Sequence, residues 1–201
     1  MALPFNGPLI QALQRDKRHM KDIDAVLLRL KKDFAEEGIP FAIVGALAVR
    51  LHGHVRFTED IDILTTKEGL EKIHSRFGGR GINPRAAGLR KKLYESEHQV
   101  NIDVITQGEV AGGAGSPIVF PHPDDVGPLT PDGLRFPTLQ RLIEFKIASH
   151  VWGHRPQDLA DVHKLIQING LAEDFAAGLH AALRAKYIEI LEMSRKEKDI
   201  E

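Results

Sequence analysis

Three aspartates stand where carboxylate chemistry could be done. Asp60 and Asp62 are two apart in Glu59-Asp-Ile-Asp-Ile-Leu64, and Asp103 lies within Asn101-Ile-Asp-Val-Ile105. On a strand, residues i and i+2 project to one face, so Asp60 and Asp62 lie side by side while Ile61 and Ile63 enter a core. Carboxylates roughly 6–7 Å apart along a strand repel each other unless a cation lies between them. Oxygen-only ligands suit Mg²⁺, which keeps waters and takes one or two protein carboxylates plus substrate phosphates. Mn²⁺ accepts the same donors. If the two strands are neighbours, Asp103 completes a three-carboxylate cluster that can hold two metals for in-line displacement at phosphorus. Alternating acidic and apolar residues also mark any half-exposed strand.

Upstream, Phe41-Ala-Ile-Val44 reads as a buried strand that ends at Gly45, and Ala46 to Leu51 reads as a helix. A strand-to-helix turn offers free backbone N–H groups and the positive end of a helix dipole to a phosphate. Gly45 lets a phosphate approach the backbone closely, or simply makes the turn.

Other elements must position these groups. Leu9, Ile10 and Leu13, then Met20, Ile23, Val26, Leu27, Leu30 and Phe34, follow helical spacing that Gly38 and Pro40 bring to an end. Lys67 to Phe77 predicts a helix stopped by Gly78-Gly79. Leu93–Glu97 and Val100–Ile105 predict a hairpin, and Ser116–Phe120 a further strand. A Pro-, Gly- and Asp-rich loop over 121–137 divides a core (1–137) from a C-terminal helical region (138–201), whose last residues from Arg195 are expected to fray. The expected fold is α+β, a small mixed sheet with N-terminal helices and a C-terminal helical region packed on it.

The 201 residues carry 27 Lys plus Arg against 28 Asp plus Glu, so bulk charge alone does not hold this chain to nucleic acid. Cysteine is absent, which excludes thiol nucleophiles and zinc–thiolate sites and fits a reducing compartment. No signal peptide or membrane-length apolar run is visible, so the expected location is cytoplasmic, with no membrane partner.

Phe41-Ala-Ile-Val-Gly-Ala-Leu-Ala-Val-Arg-Leu-His-Gly53, followed by Arg56-Phe-Thr-Glu-Asp-Ile-Asp-Ile-Leu64, resembles the first motif of the DNA polymerase β-type nucleotidyltransferases. It is most similar to small bacterial members that include AbiE-type toxins. Lys91-Lys-Leu-Tyr94 is similar to the family's lysine and aromatic segment, and Asp103 to its third carboxylate. Glu144-Phe-Lys146, with Arg155-Pro-Gln-Asp158-Leu-Ala-Asp161, is similar to its helical motif. Gly45-Ala46 stands where the family has Gly-Ser or Gly-Gly.

The resemblance implies a polymerase β-like core and Mg²⁺-dependent transfer of an NMP from an NTP, ATP among the candidates, to an acceptor hydroxyl. It also implies metal binding and catalysis by Asp60, Asp62 and Asp103. Gly45, Ala46, Lys91, Lys146 and Arg155 would bind the nucleotide. A toxin role is implied too, with tRNA or a protein as acceptor and a cognate antitoxin as partner. Cations such as Lys146 and Arg155 suit a leaving pyrophosphate, and Asp158 and Asp161, at i and i+3, share a helix face that could hold those cations. A small molecule such as an antibiotic is the alternative acceptor, and a binding module without catalysis the alternative class.

Arg76, Arg80, Arg85, Arg90, Lys91 and Lys92 form a basic stretch with no acid between Arg76 and Lys92, either a solvated loop or a docking surface for RNA. The histidine pairs His52/His54 and His150/His154 lack the glutamate of a zincin, and Gly112-Gly-Ala-Gly115 lacks the lysine of a P-loop.

Overall fold

The acidic strands are central in a five-stranded sheet of order β1-β2-β5-β4-β3 in the computed structural model, which describes residues 19–198. The strands are β1 (Phe41–Ile43), β2 (Asp60–Thr65), β3 (Ile82–Pro84), β4 (Lys92–Glu95) and β5 (Val100–Thr106). β2 runs parallel to β5 and all other pairs are antiparallel, so the sheet is mixed. The expected α+β class with a small mixed sheet is what the chain adopts.

Helix α1 (His19–Glu36) buries Ile23, Val26, Leu27, Leu30 and Phe34, and Gly38 follows it at φ +60°. That left-handed conformation is where glycine carries no Cβ penalty. α2 (Gly45–Leu51) follows β1 directly. α3 (Lys67–Phe77) is capped by Thr66, whose hydroxyl accepts from the Gly69 N–H at 2.9 Å. α1 and α3 both touch β5, over the sheet face formed by Ile61, Ile63, Ile102 and Val104. The opposite face carries Asp60, Asp62, Asn101 and Asp103, as the pleat requires.

Thr138 caps α4 (Leu139–Gly153), and Pro156 opens α5 (Pro156–Asn169), where its missing N–H costs nothing. A 3₁₀ turn (Glu173–Gly178) leads to α6 (Ala181–Lys198), fixed by the Tyr187 hydroxyl donating to the Ala172 carbonyl at 2.9 Å. α2 packs on α4 and α4 on α5, which brings the helical region over the acidic side.

Two expectations change, and a stretch with no expected element gains a strand. Ser116–Phe120 forms no ladder strand: only Val119 bridges Val110, because the glycine turn at 112–115 and Pro117 interrupt pairing. Residues 80–92 contain β3, which Gly81 and Pro84 conceal in the sequence. The C-terminus remains helical to Lys198, with Arg195 paired to Glu173 at 2.7 Å. The proposed helical turn at Leu9, Ile10 and Leu13 lies outside the described residues. No helix among the described residues is long and apolar enough to cross a membrane.

Candidate active site

Register sets the carboxylates. Asp62 on β2 is the parallel partner of Asp103 on β5, and Asp60 is the partner of Asn101. The Asn101 amide donates to Asp60 at 2.9 Å. Asp103 is the antiparallel partner of Lys92, and its carboxylate is ion-paired by both Lys92 and Arg85.

Asp62 is held from the other side. Gly45 lies at φ +61°, and a Cβ there would sit 1.9 Å from Asp62 Oδ2. The Ala46 N–H donates to the same carboxylate. So the turn whose N–H groups were expected to meet phosphate spends at least one of them on Asp62. Burial pushes the Asp62 carboxyl above the usual range; Lys146 draws it down and Asp60 pushes it further up.

Opposite, Lys146 of α4 is only 7% exposed. Its ammonium lies 2.5 Å from Asp158 and 2.8 Å from Asp161, both on α5. This is the shared face expected for the i, i+3 pair. Arg155 is not its second cation. Arg56 Nε instead lies 3.1 Å from Asp161 Oδ1, buried and without an aligned acceptor among the described residues, and His54 Nε2 lies 3.8 Å away. Burial holds His54 below its ordinary pKa, which Asp161 only partly opposes.

Gly45, Ala46, Asp62, Lys146 and Arg155 line one cleft of about 390 Å³, together with Arg56, His154 and the contacting rings of Phe120 and Phe145. Asp60 and Asp103 lie on the same sheet face but outside its lining. Lys91 is elsewhere, on Glu109 at 2.8 Å.

Arg56 was legible only as a letter within a motif. Its signal is an inverted alternation: Val55 and Phe57 are 66% and 53% exposed, whereas the charged residue between them turns inward.

The donor set fits a hard divalent ion. Asp62 and Asp103 are register partners offering oxygen alone, and a bound ion would compete with Lys92 and Arg85 for the Asp103 carboxylate. Another set, Glu95, Glu97 and His98, brings its ligand atoms within 4.8 Å of one another. There Glu95 already accepts from the backbone N–H groups of His98 and Glu97 at 2.8 and 3.2 Å, and from Arg29, which marks a clasped turn.

No family model matches the sequence, and no curated protein matches it. In structure the chain is similar to the antibiotic-resistance factor ANT(2'')-Ia, whose solution structure aligns over 87% of this chain and 99% of that one, with a TM-score of 0.53 and 16% identity. That likeness concerns the fold. It is a likeness of the α+β arrangement with a small mixed sheet, and it does not extend to the AbiE-type resemblance.

Proposed function

We propose that this chain is a Mg²⁺-dependent nucleotidyltransferase that moves an NMP from an NTP to an acceptor hydroxyl. The observation that carries the reading is the close packing of Gly45 on Asp62 at a cleft whose other wall presents Lys146. A half-exposed acidic strand with no function has no need of a backbone pressed against its carboxylate.

Asp60, Asp62 and Asp103 would hold the metal, which when bound neutralises the triphosphate and polarises the α-phosphoryl group. The acceptor oxygen bonds to the α-phosphorus as the bond to the pyrophosphate oxygen breaks. Asp103 takes the acceptor's proton, and Lys146, with Arg56 and Arg155 beside it, receives the charge of the leaving pyrophosphate. Asp158 and Asp161 hold the ammonium of Lys146 in place.

The acceptor reading leans to a small molecule. Of the basic stretch, Arg76 faces Glu37, Arg85 and Lys92 face Asp103, Arg90 faces Glu71 and Lys91 faces Glu109. Cations already matched by carboxylates release fewer counterions to a polyanion such as tRNA. Likeness to an antibiotic-resistance factor favours the same class.

Thermal unfolding with each NTP, with and without Mg²⁺, tests the site without knowledge of the acceptor. Ligand at 100 times its Kd adds about 2.7 kcal/mol, or roughly 5–10 °C for a chain of this size. The shift should need both components and vanish in Asp62→Asn. A shift unchanged in that variant would overturn the assignment.

A further inference from the structure

A second hollow, of about 550 Å³, lies between the end of α4 and the start of α6. Trp152, His150 and His154 line it on one side, and Ala182 and Ala185 of α6 on the other. His154 and Pro156 also line the cleft that holds Asp62 and Lys146, so the two hollows adjoin.

Three features set this hollow apart from an ordinary surface dent. His154 ends α4 at φ 52°, ψ 41°, a left-handed cap that glycine usually fills. A histidine there is uncommon, and it keeps an exposed imidazole on the shared wall. Trp152 is the chain's single tryptophan. It rests beside Gly115, where a Cβ would lie 3.5 Å from its Cδ1. Finally, the lining includes no carboxylate, and its one permanent cation, Lys186, is occupied by Glu189 at 2.7 Å.

We propose that this hollow is the slot for the nucleobase of the donor nucleotide. An indole wall facing small alanines suits a flat, uncharged heteroaromatic ring, and the imidazoles of His150 and His154 can meet polar groups on its edge. The slot adjoins the cleft at His154 and Pro156, the residues on either side of Arg155, on the donor's side in the reading above. Asp103, the acceptor's base, lies outside the cleft lining, on the register row shared with β4. The slot therefore rests on the nucleotidyltransfer reading and adds to it the group that recognises the donor.

The test uses Trp152 as its own reporter. The full chain is titrated with each NTP and Mg²⁺ while tryptophan emission is followed, and in parallel with inorganic tripolyphosphate and Mg²⁺, whose binding is read by thermal shift. NTPs should quench the emission and bind roughly tenfold tighter than tripolyphosphate, the usual scale of one base–aromatic stack. Tripolyphosphate should leave the emission unchanged. Ala185→Leu, at an exposed position on α6, projects a larger side chain from the wall opposite Trp152 into the space between them; it should bring NTP affinity down towards that of tripolyphosphate, with tripolyphosphate binding intact.

If NTPs bind Ala185→Leu as tightly as the parent, or bind the parent no better than tripolyphosphate, the slot is refuted while the phosphate site stands. If neither ligand binds, the nucleotidyltransfer reading fails and the slot fails with it.

Discussion

Replacing Gly45 by alanine puts the site's geometry under the most direct strain. The new Cβ would lie 1.9, 2.6 and 2.9 Å from Oδ2, Cγ and Cβ of Asp62, far inside van der Waals contact. The backbone at φ +61° adds about 1–2 kcal/mol for an L side chain in the left-handed region. Overpacking a filled position adds a further 1–3 kcal/mol or so. Together these give about 2–5 kcal/mol, or roughly 4–20 °C in melting temperature for a chain of this length.

The clash falls on the carboxylate itself, so Mg²⁺-dependent NTP binding should be lost along with stability. A thermal-unfolding cycle separates the two causes. In an Asp62→Ala background the Oδ2 and Cγ contacts are gone and only the Cβ contact at 2.9 Å remains, so Gly45→Ala should cost less there, leaving a coupling of at least about 1 kcal/mol. Additive effects, or a Gly45→Ala protein that melts with the parent and still binds nucleotide, would refute the packing on which the functional reading rests.

Lys146→Met strands the fully buried Asp161 and its neighbour Asp158 without their ammonium. Breaking a buried pair costs about 3–5 kcal/mol, so melting should fall by roughly 10 °C, and an unchanged melting curve would dismiss the ion triad. Lys92→Met frees Asp103 from one competing cation. Mn²⁺ affinity measured calorimetrically should rise up to about fivefold, the scale of a partly exposed ion pair, and an unchanged affinity would refute Asp103 as a ligand. Asp24 has its pKa raised to about 6, chiefly by burial, with Arg50 opposing. Because the folded value exceeds the unfolded one, the folded state binds the extra proton, and stability declines as pH rises from about 4 to 6. Asp24 is half-buried, so screening holds the effect to about 1 kcal/mol; Asp24→Asn should flatten that part of the pH–stability curve, and an unaltered slope would contradict the assignment.

How much of this was written in the sequence differs from residue to residue. The alternation in Asp-Ile-Asp-Ile-Leu64 and in Asn-Ile-Asp-Val-Ile105 disclosed an acidic face over a branched-apolar one, because period-two patterning is enforced locally by the pleat. The start of the helical region at residue 138 was legible for the same local reason. Register was not. That Asp62 faces Asp103, and Asp60 faces Asn101, follows from packing across the whole sheet. Partners of charges were equally hidden: nothing local says that Arg85 and Lys92 turn to Asp103, or that Asp161 takes Arg56 and not Arg155. Ser116–Phe120 misled in the other direction, its apolar run serving a loop packed on the core through Ile118 and Phe120.

The parallel pairing of β2 with β5 bears on how the protein comes to be folded. β4 and β5 are joined by a single short turn and can zip as a local hairpin, whereas β2 reaches β5 only after residues 66–99 have been looped between them. Non-local parallel pairing is the slow kind, since loop closure is lost before any contact is gained. The row of aspartates therefore exists in no local fragment of the chain. During synthesis each carboxylate emerges with its own strand, and only the docking of β2 joins them. A destabilised variant that frays at the β2–β5 seam would lose its acidic face while its hairpin and much of its helical content persist.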